Sequence, residues 1–255
     1  MSKLYHLGFN DVCGAKYAIL PGDPGRVESI AKYLDEPRFH CQNREYTSWI
    51  GEIADEKVLV MSTGMGGPST AIAIEELNMV GVETFIRIGT CGGMAEKVEA
   101  GDVVIATGAI RQDGTSKEYV PVEFPAIADL TVTNALVQAF ENVKKAQGLS
   151  ANLHTGIVQC KDSFYGQHSP DKMPIGYELK DKWQAWIKAG CLASEMESAT
   201  LYIVAQILGL KAGCVLSVVW NQEREAKGLS NKEVHDTTPA IRTAVEAIRL
   251  MVTGG

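Results

Sequence analysis

Short, continuous apolar runs recur along this chain between stretches of helical periodicity, and that alternation is what most limits its fold. KYAILPG, KVLVMSTG, TFIRIGTCGG, GDVVIATGAIR, LHTGIVQC and AGCVLSVVW read as strands, dominated by apolar and β-branched residues. PGRVESIAKYL, PSTAIAIEELNMVG, TVTNALVQAFENVKKAQG, EMESATLYIVAQILG and TTPAIRTAVEAIRLMV read as helices. Asp23 is placed to cap the first helix, with Pro24 at its first position, and Gly81 closes the second. Strands without a polar face must be covered on both faces, so the expectation is an α/β sheet between helical layers. The length suits one domain over residues 1–255, and no linker-like or low-complexity segment divides it. The least regular stretches are 113–130, 161–182 and 221–236. In α/β folds, sites collect in loops at the carboxyl ends of strands.

Charge narrows the partners. Lys plus Arg is 24 and Asp plus Glu is 31, a net charge of −7. Such an acidic chain is a poor candidate for wrapping nucleic acid or an anionic membrane, so neither is expected as a partner. Any anion it binds must meet a local group of arginines and backbone N–H groups. No apolar run approaches the ~18 residues of a membrane span, and the N-terminus lacks the basic and apolar regions of a signal peptide. The six cysteines form no CxxC pair, so neither zinc nor a disulfide framework is indicated and a reducing cytoplasmic setting is expected.

Three strand ends are rich in glycine: LPGDPGR at 20–26, STGMGGPST at 62–70 and RIGTCGG at 87–93. Glycine lets a ligand approach the backbone and frees N–H groups to face an anion. Arg26 and Arg87 stand in two of these segments and Arg44 in NREYTSW. Arginine matches phosphate in a bidentate way. Any one segment taken alone is an ordinary turn with a surface arginine. Arg87 argues otherwise, because it interrupts the apolar run FIRIG, where a charge needs a partner. TGMGGPS departs from a dinucleotide fingerprint at Pro68, and no Walker lysine, HExxH or GxSxG pattern occurs. Inorganic phosphate or a small phosphate ester fits better. The pair Glu195 and Glu197 in SEMESAT, beside the apolar LYIVAQILGL, either caps a helix N-terminus or awaits a polar ligand.

Taken in order, GDPGR, STGMGGPSTAIAIEEL, RIGTCGG and SEMES resemble the nucleoside phosphorylase superfamily over nearly the whole chain. EFPA, DSFYGQ and VVWNQE point within it to the pyrimidine branch. The resemblance implies a central mixed β-sheet flanked by helices on both faces, and reversible phosphorolysis of uridine to uracil and ribose 1-phosphate. Phosphate is then expected at Gly22, Arg26, Arg87 and Thr90, with Arg44 reaching in from a neighbouring subunit. Ribose is expected at Met196 and Glu197, with His6 from that neighbour. Glu195 either assists at the 2′-hydroxyl or caps backbone N–H groups. The base is expected near Cys91, Gly92, Phe164, Gln167 and Gln222, and Arg87, Gln167 and Glu197 carry the catalytic expectation. No cofactor is implied beyond phosphate as co-substrate. A potassium ion is implied between subunits by Glu45, Met65 and Ser69, and the assembly implied is a homohexamer, a trimer of dimers.

The base loop departs from the family. The better-known bacterial pattern reads FYxGQxR; here FYGQHSPDKMP is one residue shorter and has no arginine after Gln167. Lys161 and His168 are the cationic donors at hand, and Arg224 stands two residues beyond Gln222. The purine branch carries Ser-Asp near the end of the penultimate strand, where Asn221 and Gln222 stand here. Rival expectations are purine nucleoside phosphorolysis, hydrolysis by a related nucleosidase, and a non-catalytic nucleoside-binding protein.

Overall fold

The computed structural model describes residues 3–254. Ten strands belong to one mixed sheet: β1 (Tyr17–Pro21), β2 (Asp35–Asn43), β3 (Tyr46–Ile53), β4 (Glu56–Met61), β5 (Thr84–Gly93), β6 (Val103–Gln112), β7 (Ala126–Ile127), β8 (Leu153–Lys161), β9 (Ala193–Glu195) and β10 (Lys211–Asn221). β1 lies between β4 and β5 and is parallel to both, with Leu20 opposite Arg87 and Pro21 opposite Ile88. The three glycine-rich strand ends of the sequence therefore emerge side by side at one edge of the sheet. β5 also pairs with β10, β10 with β6, β6 with β8, β8 with β9 and β9 with β5. That half of the sheet thus closes into a ring, which periodicity does not foretell.

The helices are α1 (Val27–Ala31), α2 (Gly67–Met79), α3 (Thr115–Tyr119), α4 (Leu130–Gln147), α5 (Phe164–His168), α6 (Gly176–Lys188), α7 (Ser198–Ile207), α8 (Gln222–Ala226) and α9 (Thr238–Thr253). Along each central strand, alternate residues enter two separate apolar layers. Phe85, Leu59 and Leu216 pack with α2 and α7, whereas Ile86, Val60 and Val215 pack with α1, α4 and α9. Both faces are covered, as the continuous apolar runs require.

Local chemistry sets the ends. Asp23 accepts from Gly25 N–H at 2.8 Å, and Pro24–Arg26 form a single 3-10 turn before α1, which is shorter than the sequence pattern suggested. Asp129 caps α4 through Val132 N–H, and Gly148 closes it in the left-handed region. α7 begins at Ser198, so Glu195, Met196 and Glu197 precede the helix that the sequence pattern had extended over them. Gly66, with φ +91°, supplies the turn into α2. Gly67 sits where an added Cβ would lie 2.6 Å from Thr200 Oγ1, so only glycine lets α2 approach α7 this closely.

Candidate active site

The carboxyl ends of β1, β4, β5, β8, β9 and β10 open into one cleft of about 960 Å³. Of the residues expected from sequence, Gly22, Arg26, Glu45, Met65, Arg87, Thr90, Cys91, Gly92, Lys161, Phe164, Gln167, His168, Glu195, Met196 and Glu197 all line it. Positions 22 and 197 are far apart in sequence but meet because β9 pairs antiparallel with the carboxyl end of β5, the strand beside β1.

Arg87 rises from the middle of β5 into the cleft floor. Its Nε donates to Glu195 Oε2 at 3.1 Å and its Nη2 pairs with Glu197 Oε2, all three side chains being buried. Burial works against the guanidinium charge, but Glu197 and Glu195 outweigh it and hold the arginine pKa above its usual value. Glu195 also accepts the backbone N–H of Glu197 at 2.9 Å and of Ser198 at 3.1 Å, and the Ser198 hydroxyl. It therefore stands in the backbone-capping arrangement, buttressing Arg87 from behind. Glu197 Oε1 accepts Gly66 N–H at 2.6 Å, tying the β4–α2 turn to the start of α7. Burial raises the Glu197 pKa, Arg87 pulls it back and Glu195 adds to the rise. Each carboxylate oxygen can accept a second bond, so Glu197 can still receive hydroxyl donors from the cleft.

Beside this centre, Arg26 keeps its Nη1 buried without a hydrogen-bond partner, and its Nε lies 3.7 Å from Asp23. A cation with a free donor next to the Gly22 backbone is an apt anion seat. An added Cβ at Gly22 would stand 3.1 Å from Gly64 O, so the first and second glycine turns touch. Gly64 (φ +72°) also packs on Glu45 and Ser69, which places those two side chains around one backbone turn.

The far end of the cleft is built differently. Lys161, the last residue of β8, donates to Ser194 Oγ at 2.6 Å, and Ser194 donates to Gln167 Oε1 at 2.8 Å. Gln167 Nε2 approaches Gln222 Oε1 at 3.3 Å. Burial lowers the Lys161 pKa while Glu195 opposes the shift. His168 packs on Phe164 with ring centroids 4.3 Å apart, and on Trp220 at 6.1 Å. Burial lowers its pKa, and Lys161 lowers it further, which disfavours the charged ring, and His168 stands in an aromatic wall.

Several expected residues lie elsewhere. Arg224 turns from the cleft to Glu96 O, Ser230 O and Glu99, because α8 carries it outward. Gln222 lines a neighbouring cavity of about 480 Å³ that shares Lys161 and Gln167 with the cleft. Ser69 lies behind the cleft lining, bonded to the Met65 and Gly66 carbonyls at 3.4 Å. His6 gives its ring and backbone N–H to Glu76, and Asn43 holds its carbonyl. Arg44 stacks on Tyr5 at 5.6 Å, so His6 and Arg44 share one neighbourhood outside their own cleft. Asn221 is fully buried; it donates to Ala95 O and Val98 O and accepts from Glu223 and Arg224 N–H, so its amide anchors α8.

Sequence reasoning missed Ser194, Trp220, Glu233 and His235, which also line the cleft. Ser194 had a signal: it opens the SEMES motif, just ahead of Glu195. Glu233 and His235 come from the irregular stretch 221–236, whose only signal was its irregularity. Among the described residues no group of acids, histidines and cysteines is arranged to hold a metal ion, and no helix is long and apolar enough to cross a membrane.

The profile of the phosphorylase superfamily matches residues 16–252. A uridine phosphorylase of Treponema pallidum (strain Nichols) is 53% identical over 249 residues, 98% of this chain and 94% of the relative. A uridine phosphorylase of Escherichia coli (strain K12) is 40% identical, with 98% of this chain and 99% of the relative covered. A guanosine phosphorylase of Halorubrum lacusprofundi is 40% identical over 87% of this chain and 85% of its own length.

Proposed function

This chain belongs to the phosphorylase superfamily, and on that premise we propose that it is an enzyme cleaving uridine with inorganic phosphate to uracil and ribose 1-phosphate, reversibly. The observation that carries the reading is the order of chemistry along one cleft: a free-donor arginine beside glycine turns, a buried acid at the centre, and an amide with a lysine at the far end. That order matches phosphate, ribose and base laid end to end.

In this reading phosphate sits on Gly22 N–H, Arg26, Arg87 and Thr90, completed by Arg44 of a neighbouring subunit. Glu197 accepts the 2′- and 3′-hydroxyls, Met196 packs on the sugar, and the neighbour's His6 serves the 5′-hydroxyl. Phe164 and His168 flank the base above Cys91 and Gly92, and Gln167 holds its edge. The C1′–N1 bond loosens, cationic charge builds on the sugar, and phosphate oxygen closes on C1′. Uracil leaves as an anion and then takes up a proton. Donors that meet charge present only in the transition state lower the barrier without tightening the ground state equally. The clustering of His6 and Arg44 outside their own cleft supports a shared site in a dimer, three of which make the proposed hexamer. Glu45, Ser69 and the Met65 carbonyl offer hard oxygen donors that suit potassium, whose role there is to fix the β4–α2 turn. The free cysteines suit a cytoplasmic setting.

Purine phosphorolysis is the second reading, favoured by the Halorubrum relative. Against it, Asn221 spends its amide on backbone carbonyls and so offers no acid to a purine ring. The test is base release from uridine and guanosine, with and without phosphate. Uridine cleavage that needs phosphate and yields ribose 1-phosphate is expected. Equal rates without phosphate, with free ribose as product, would refute phosphorolysis in favour of hydrolysis.

A further inference from the structure

Lys161 is a buried cation, 6% exposed, shared by the cleft and the neighbouring cavity. The acids that pull most on its charge, Glu195 and Glu197, are themselves spent on Arg87. Its ammonium instead meets a neutral hydroxyl, Ser194 Oγ, at 2.6 Å. A buried cation facing a cleft with only a neutral partner is costly unless an anion arrives there.

The hydrogen-bond order then follows from donor counting. An ammonium only donates, so Ser194 must accept from Lys161 and turn its own proton to Gln167 Oε1, 2.8 Å away. That fixes the sense of the Gln167 amide, with Oε1 toward Ser194 and Nε2 turned to Gln222 Oε1. One Nε2 proton remains for a ligand. The register of β8 with β9, Gln159 opposite Ser194 and Cys160 opposite Glu195, holds lysine and serine together on adjacent strands. His168, the other cationic donor the sequence offered, is instead sandwiched between Phe164 and Trp220.

We infer that Lys161 is the group that stabilises the departing pyrimidine anion in this chain, and that Ser194 is a positioning residue that aligns Gln167 beside it. The inference rests on the phosphorolysis reading above and deepens it by naming the leaving-group stabiliser. Neutral uracil offers two carbonyls and an N–H. Once the C1′–N1 electron pair moves onto the base, its oxygens and ring nitrogens become stronger acceptors. The Lys161 ammonium and the Gln167 N–H then bind the product anion better than the substrate, which is what catalysis requires. Ser194 holds both in register, so neither has to reorganise as charge develops.

The experiment compares Lys161→Met, Lys161→Arg and Ser194→Ala with wild type on uridine and on 5-fluorouridine, whose more acidic base leaves more easily. Lys161→Met is expected to lower kcat/KM for uridine about tenfold to a hundredfold and to lower it distinctly less for 5-fluorouridine, with the phosphate KM unchanged. Lys161→Arg should recover part of the loss. Ser194→Ala should show a smaller loss with the same leaving-group dependence. The ratio of the two substrates within one preparation does not depend on how much of it folds, so poor folding of a variant cannot mimic the result. Equal losses on both substrates would mean that Lys161 serves only structure, and no loss would mean the anion is met by other groups; either overturns the inference while leaving phosphorolysis standing. Wild-type enzyme that releases no uracil from uridine overturns the function itself, and the inference with it.

Discussion

Replacing Glu197 with glutamine tests the centre of the cleft most sharply. The side chain keeps its shape but loses its charge and gains a donor. In the native arrangement Oε1 takes Gly66 N–H at 2.6 Å and Oε2 takes the Arg87 guanidinium. A glutamine must turn its NH₂ to one of them, setting donor against donor in a buried site at a cost of about 1–3 kcal/mol in stability. Its effect on activity is separable. A carboxylate bond to the 2′-hydroxyl contributes about 1.5–3 kcal/mol, or roughly tenfold to a hundredfold in kcat/KM. The assay is kcat/KM for uridine and for 2′-deoxyuridine, below the melting temperature of the variant. Glu197→Gln should depress uridine turnover by about tenfold more than deoxyuridine turnover, because only uridine loses the bond. Equal depression of both would refute the contact with the 2′-hydroxyl. A pH arm adds a sign. Burial raises the Glu197 pKa above the ordinary carboxylate range, so on acidification it protonates early and loses acceptor capacity. Uridine KM should therefore rise as pH falls through that raised value, and this limb should vanish in the glutamine variant. For stability the same shift runs the other way: the folded state holds the proton more tightly, so this contribution is present at low pH and lost as pH rises through the raised value.

Other substitutions probe separate parts. Arg26→Ala should raise the phosphate KM about tenfold and leave the uridine KM nearly unchanged, as steady-state kinetics at varied phosphate will read. Asn221→Asp sets a buried carboxylate against Ala95 O and Val98 O, and should cost about 1–3 kcal/mol per opposed carbonyl in urea unfolding without conferring activity on guanosine. Gly67→Ala drives a methyl into Thr200 and Thr115, at about 1–3 kcal/mol in the same measurement. Mixing Arg44→Ala and Glu197→Ala subunits should restore part of the activity each lacks alone; no recovery in verified mixed dimers would show that each site is complete within one chain.

The sequence by itself determined the layers and the raw materials of the site. Apolar strands such as FIRIG admit only a sheet covered on both faces, and the glycine turns at 22, 64 and 89–93 mark strand ends where backbone can face a ligand. Arg87 in the middle of such a strand announced a buried charge in need of partners, and Glu195 and Glu197 stood out as acids on an apolar border. These signals are local, because burial and turn geometry are written into neighbouring residues. Tertiary structure alone decided the partners of the two acids: both line the cleft, but Glu195 takes the N–H groups ahead of α7, while Glu197 takes that of Gly66. The same holds for the β5–β10–β6–β8–β9 ring, whose pairings join residues far apart in the chain, as with Thr84 and Lys211, and leave no mark on periodicity. It turned Arg224 outward with α8 and packed His168 into an aromatic wall, although both read as free cations in the chain. It also brought Ser194 between Lys161 and Gln167. Strand register sets that contact, and register depends on the energy of the whole sheet rather than on any one segment.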